Sequence, residues 1–306
     1  MRRTPALAAL LISVSLGLAA CGTAEEDTTA GTSGDVPTAT GEVGEKPEVE
    51  VPEGDPSDEL VVEVLAEGEG SEVQAGEFLV ANYLGQTWEP GEGGEPNVFD
   101  NSYDRGQPAG FGIGSGAVIP GWDEGLVGQT VGSRVLLVIP PEQGYGEEGT
   151  PDGSIPPDST LVFVIDILES VPADAAVSGE PVADLAADVP VVQGDGTEAP
   201  TVSVDGLEPP SESDAVLVLA GDGEPIEDLI VAKIVQVSYS TGETQYSSWD
   251  QQPALLTTDQ LPGLVTALEG QNVGSRAVVR VTAADNAPEG GEGEALALVV
   301  DVVATV

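Results

Sequence analysis

Val118-Ile119-Pro120-Gly121-Trp122-Asp123-Glu124-Gly125-Leu126-Val127 carries the helical signal in a stretch of chain otherwise patterned as short strands. A proline can open a helix at its first turn, where its missing N–H needs no partner, and Trp122 and Leu126 then share one face. Upstream lie Leu60 to Leu65 and Phe78 to Tyr83; downstream lie Val135 to Ile139 and Leu161 to Leu168. These are runs of β-branched and aromatic residues bounded by Gly, Pro or acidic turns, so they read as strands. One short helix on an antiparallel sheet predicts an α+β module.

The module occurs twice. Pro47 to Gly70 aligns with Pro200 to Gly223 without a gap, Ile119-Pro120-Gly121-Trp122 with Leu261-Pro262-Gly263-Leu264, and Val131-Gly132-Ser133-Arg134 with Val273-Gly274-Ser275-Arg276. Both copies end on an apolar strand, Leu161 to Ile167 and Leu296 to Val302. The order and spacing of a repeat divide the chain before any other assignment is made. The expected domains are residues 47–171 and 197–306, joined by a Pro-, Ala-, Asp- and Gly-rich linker, 172–196.

Composition removes several kinds of chemistry. Against 8 Lys and Arg stand 54 Asp and Glu, a formal charge of -46, which repels phosphate backbones and excludes nucleic acid as a partner. There is no His, and the single Cys is Cys21, so histidine triads, thiol catalysis, zinc sites and internal disulfides have no residues to use. No cofactor or metal is expected. Catalysis must use carboxylates, hydroxyls, backbone groups or shape.

The amino terminus reads as a targeting signal. Met1-Arg2-Arg3 is basic, Pro5 to Leu18 is an apolar run short for a membrane span, and Leu18-Ala19-Ala20-Cys21 places small residues before the cysteine. Those four residues resemble the lipobox of bacterial lipoproteins. The resemblance implies a signal peptide over residues 1–20, cleavage before Cys21, lipidation of Cys21, and an extracytoplasmic protein anchored to the cell membrane. An ordinary secretory signal with an incidental cysteine is the alternative. Residues 21–46 are acidic and lack aromatic residues, which predicts a disordered tether.

The first module resembles the FKBP family of peptidyl-prolyl cis/trans isomerases from about Leu60 to Ser170. The resemblance is carried by Val80 to Gly85, Phe99-Asp100-Asn101-Ser102-Tyr103-Asp104-Arg105, Val118 to Leu126, Val131-Gly132, Ile139-Pro140-Pro141 with Gly144-Tyr145-Gly146, and Ile155-Pro156-Pro157 with Thr160 to Phe163. It implies a curled antiparallel sheet around the short helix and a pocket for an X-Pro segment. By the same resemblance Tyr83, Phe99, Asp100 and Arg105 form one wall, Val118 and Ile119 a second, and Trp122 the floor. Tyr145, Ile155 and Phe163 close the rim, the Ile119 N–H and Tyr145 hydroxyl bind the substrate, and Tyr83 and Arg105 hold Asp100.

Ala109 and Ala117 depart from the family pattern, as does the acidic insertion Trp88 to Asn97, and they imply weak macrolide binding. Periodicity alone assigns the same aromatic residues to a core.

In the second copy Leu264 stands for Trp122, Leu298 for Phe163 and Ala287 falls at the Tyr145 position, so this copy reads as degenerate and inactive. It could hold client chain, pack on the first module or act as a spacer. The expected function is isomerisation of X-Pro bonds in exported polypeptides. Its rival is a non-catalytic, chaperone-like or adaptor lipoprotein that binds extended chain.

Overall fold

A computed structural model describes residues 36–249, 251–288 and 291–306. The expected signal peptide, Cys21 and the tether up to residue 35 lie outside them.

The first half begins with a hairpin, β1 (Thr38–Thr40) and β2 (Glu48–Glu50), followed by β3 (Val61–Ala66), β4 (Phe78–Thr87), β5 (Val98–Asn101) and β6 (Ala109–Gly112). Helix α1 (Pro120–Leu126), β7 (Arg134–Ile139) and β8 (Leu161–Val171) complete it. The strands form an antiparallel sheet in the order β3-β7-β8-β4-β5, with β6 also paired to β4.

Alternation along β7 and β8 sorts the side chains onto two faces, because successive residues of a strand point opposite ways. Val135, Leu137, Ile139, Phe163, Ile165 and Ile167 face α1 and join Trp122 and Leu126 in the main core. Leu136, Val138, Val162 and Val164 face the other way and are also buried. That second burial explains why Val135 to Ile139 is a continuous apolar run instead of an alternating one.

What covers the outer face corrects the expected tether. Residues 36–46 are not all linker: Thr38–Thr40 pairs with Glu48–Glu50, and Val36, Ala39, Val49 and Val51 pack on the outer apolar layer. The turn between the strands is held by a buried ion pair. Arg134 Nε and Nη2 donate to Asp166 at 2.6 and 2.7 Å. The same guanidinium donates to the carbonyls of Gly41 at 2.9 Å and Glu45 at 2.7 Å, and Gly44 N donates to Asp166 at 2.6 Å. Asp166 is fully buried, and a buried charge is tolerable only when its lone pairs are occupied in this way.

The second half contains β9 (Gly179–Pro181), β10 (Val191–Gln193), β11 (Thr201–Ser203), β12 (Asp214–Gly221), β13 (Leu229–Ser238), β14 (Thr244–Ser247) and β15 (Ala254–Thr257). Helix α2 (Leu264–Leu268), β16 (Arg276–Val281) and β17 (Leu296–Thr305) follow. Its sheet runs β14-β13-β17-β16-β12-β9, with β15 on β13. The expected linker 172–196 is also revised, because β9 pairs with β12 and β10 pairs with β11, so residue 197 falls inside a hairpin. That hairpin places Val192, Val202 and Val204 on Val235, Val237, Val278 and Val299. A second buried pair, Arg276 to Asp301 at 2.5 and 2.7 Å, reaches the Gly194 carbonyl at 3.2 Å.

Near the end of β8, burial pushes the Glu169 carboxyl above its usual range, and the Glu224 and Glu77 carboxylates add to the shift against a hydrogen bond from Ser170 N. A carboxyl raised in the folded state contributes stability below its unfolded pKa and loses it as pH rises through the folded value. Glu169→Gln keeps an acceptor for Ser170 and removes the charge. Thermal melts should show Tm raised by about 1–3 °C at pH 7, with the gain vanishing near pH 4; a gain of equal size at both would contradict an ionisation effect.

Candidate active site

A cavity of about 780 Å³ opens between the first sheet and α1, a size typical of small-ligand sites. Its floor is Trp122, buried at the first turn of α1. Three aromatic rings meet the indole edge-on: Tyr83 at 5.4 Å, Phe111 at 5.0 Å and Phe163 at 5.2 Å between centroids. Edge-to-face contacts of this kind orient the rings as well as bury them. The indole Nε1 is buried and has no hydrogen-bond partner among the described residues.

Close approach of the backbone makes this cluster possible at Gly85. A Cβ there would meet Phe163 Cε1 at 2.4 Å and Phe99 Cε2 at 2.8 Å, so a side chain at 85 would displace both rings.

The wall beside the aromatic floor is polar. Tyr83 donates its hydroxyl hydrogen bond to Asp100, Arg105 donates to the other carboxylate oxygen, and Arg105 Nη2 reaches the Tyr83 hydroxyl at 3.0 Å. Burial first, and then the Asp100 carboxylate, push the Tyr83 phenol above its ordinary value. Position 83 is set by Ser102, whose hydroxyl accepts from Tyr83 N at 2.9 Å and donates to Asn82 at 2.8 Å.

The opposite wall, Ala117 to Pro120, is tied to α1 by Asp123. That carboxylate accepts from Gly114 N and Gly116 N, each at 2.7 Å. Tyr145, Thr150, Ser154 and Ile155 come from the long connection between β7 and β8 and form the rim. Thr150 Oγ1 accepts from Ile155 N at 2.9 Å, and Asn97 Nδ2 donates to the Ser154 carbonyl at 3.2 Å, which attaches the acidic insertion to the rim. Tyr145 is 42% exposed; partial burial and then Asp100 hold its phenol above the usual range.

The cavity thus gathers Tyr83, Phe99, Asp100, Val118, Ile119, Trp122, Tyr145, Ile155 and Phe163, and Arg105 joins them through Asp100 and Tyr83. Phe111, Thr150 and Ser154 line it too, and sequence reasoning had not selected them. Phe111 could have been found as the lone large side chain in Ala109-Gly110-Phe111-Gly112.

The second sheet has other residues at the matching register. Asp166 pairs with Asn82 across β8 and β4, and Asp301 with Lys233 across β17 and β13, which sets Ile234 at the place of Tyr83 and Leu298 at that of Phe163. Ser248 hydrogen-bonds Ile234 N at 2.8 Å as Ser102 does Tyr83 N.

An aromatic cavity with hydroxyl groups and one ion pair at its edge can hold a small apolar ring and donate hydrogen bonds to an amide. The family model for FKBP-type peptidyl-prolyl cis-trans isomerases matches residues 69–168. An FK506-binding protein of Streptomyces anulatus is 42% identical over 124 residues, 40% of this chain and 96% of that protein. A probable FK506-binding protein of Corynebacterium glutamicum is 40% identical over 126 residues, 41% of this chain and 99% of that protein. The crystal structure of FkpA from Escherichia coli aligns with TM-score 0.32 and 43% identity over 37% of this chain and 48% of that one.

Proposed function

Because the chain belongs to the family of FKBP-type peptidyl-prolyl cis-trans isomerases, we propose that its cavity over Trp122 turns X-Pro bonds of exported polypeptides by non-covalent means. The observation that carries this reading is the junction of Tyr83, Phe111, Trp122 and Phe163 around one opening, with no nucleophile required. Rotation about a prolyl amide crosses a barrier of about 18–20 kcal/mol because twisting breaks resonance. The twisted amide is less dipolar than the planar one, so a water-poor aromatic site disfavours the ground state more than the transition state. The pyrrolidine ring lies on the Trp122 indole between Phe163, Phe99 and Tyr83. The Ile119 N–H takes a substrate carbonyl, the Tyr145 hydroxyl donates a second hydrogen bond, and Asp100, held by Tyr83 and Arg105, borders the ring.

Proton transfer has no part in this scheme. With no His in the chain and Tyr145 held protonated above the ordinary tyrosine range, kcat/KM should stay level from about pH 6 to 9. Tyr145→Phe should lower it about threefold to tenfold, the worth of one hydrogen bond, without a new pH dependence. A bell-shaped profile in the wild type would speak for acid–base catalysis instead.

The second sheet is, on this reading, a degenerate copy without isomerase activity. Its strand order repeats that of the first sheet with β9 added at the edge, which supports common architecture, and Ile234, Leu264 and Leu298 in place of Tyr83, Trp122 and Phe163 support loss of the pocket. We place the protein outside the cytoplasm, anchored through a lipidated Cys21. Ala109 and Ala117, small where a macrolide would need contact, make binding of FK506-like ligands weak. Protease-coupled or NMR exchange measurement on the full chain tests the activity: catalysed cis–trans exchange of an X-Pro peptide is expected, and exchange at the spontaneous rate would leave only the peptide-binding reading.

A further inference from the structure

The polar wall of the cavity depends on a short segment that the pocket itself does not hold. Arg105 ends a 3-10 turn, Tyr103–Arg105, and the side chains of Arg105 and Asp100 are each 45% exposed. An ion pair this open is worth about 0–1 kcal/mol and does not by itself fix a geometry. The turn must be placed from elsewhere, and its other residues show where.

Tyr103 donates its hydroxyl hydrogen bond to Asp166 Oδ2 at 2.8 Å, on the face of the sheet turned away from the cavity. Asp166 is the carboxylate already occupied by Arg134 and by Gly44 N of the β1–β2 turn. Asp104, next along, is paired with Lys46 of the same hairpin at 2.7 Å and accepts from Asn101 Nδ2 at 3.0 Å. The hairpin and the pocket turn are therefore joined at two consecutive residues, by Tyr103 through the buried Asp166 and by Asp104 through an exposed pair with Lys46.

The second sheet separates what this network does for folding from what it does for the pocket. It keeps the buried pair Arg276–Asp301 and its bond to the hairpin carbonyl of Gly194. A tyrosine bonded to the buried aspartate occurs, among the described residues, only in the sheet that carries the aromatic cavity. If the tyrosine served the hairpin clamp alone, the second clamp would lack a part it needs.

We propose that Tyr103 is a positioning residue for isomerisation: its bond to Asp166 fixes the 3-10 turn so that Arg105 meets both Asp100 and the Tyr83 hydroxyl, with the β1–β2 hairpin as the far anchor. Tyr103 touches no substrate and acts through Arg105 and Asp100. This rests on the catalytic reading of the cavity given above.

The test is a double-mutant cycle in the full chain, with Tyr103→Phe and Asp100→Ala made singly and together and kcat/KM measured on an X-Pro peptide beside Tm. Tyr103→Phe should lower kcat/KM about threefold to tenfold. In the Asp100→Ala background it should cost less than about twofold, since the group it positions is gone. Equal losses in both backgrounds, or no loss in either, overturn the positioning role. An inactive wild type would instead remove the catalytic reading, so the two failures are distinguishable.

Discussion

Asp166→Ala should destabilise the protein by about 3–5 kcal/mol, because it leaves a buried guanidinium without its counter-charge. Arg134 is 2% exposed, so water does little to solvate the guanidinium at its present position. The same substitution strips the partner from Gly44 N and from the Tyr103 hydroxyl, so the outer hairpin loses its tie as well. Thermal unfolding should move down by about 10 °C. Replacing both partners with apolar residues, Arg134→Met with Asp166→Leu, should recover part of the loss, since an apolar pair removes the desolvation of two charges while Gly44 N, the Tyr103 hydroxyl and the Gly41 and Glu45 carbonyls still lose their partners. A single-variant loss under about 1 kcal/mol would mean that water reaches Arg134. The related pair in the second sheet shows how fine the balance is: burial raises the Asp301 carboxyl even though the Arg276 hydrogen bond and charge lower it.

Trp122→Leu should lower kcat/KM by about tenfold to a hundredfold while the fold survives. Leucine is what the second sheet places at the first turn of its own helix, where Leu264 is fully buried, so the substitution has a precedent in the same chain. Its stability cost should be about 1–3 kcal/mol, from lost contact area and from three edge-to-face contacts. The loss in rate comes from the floor. Without the indole plane the proline ring has no surface to lie on, and water enters beside Phe163 and Tyr83. The comparison is made on kcat/KM of the full chain with Tm as control; a Leu variant with near wild-type activity would detach catalysis from the floor.

The sequence announced some elements and hid others for physical reasons. The strands from Arg134 and from Leu161 were legible because both faces are buried, which leaves almost nothing polar in either run. Helix α1 was legible from Pro120 with Trp122 and Leu126. The β1–β2 hairpin was not, because Thr38–Thr40 and Glu48–Glu50 each carry one apolar residue between polar ones, and acidic composition outweighs so short an alternation. Its stability comes from Arg134 and Asp166, far away in the chain.

The site divides the same way. Tyr83, Trp122 and Phe163 stood out as aromatic residues in ordered motifs. Phe111 did not, since Ala109–Gly112 has the composition of a loop and becomes a strand only by pairing with β4. Gly110 is small because a Cβ there would meet the Phe78 ring at 2.3 Å. Tyr103 was visible as a letter in a family motif, while its bond to Asp166 spans 63 positions and leaves no local signal.

The occupancy of the cavity can be observed directly through its floor. With 15N-labelled tryptophan in the full chain, the resonance of Trp122 Nε1–H is assigned by its disappearance in Trp122→Leu and followed as an X-Pro peptide is added. This signal should move saturably with peptide while those of Trp88 and Trp249 stay in place. Movement confined to Trp88 or Trp249, or an unchanged Trp122 signal under conditions where exchange of the peptide is catalysed, would contradict it.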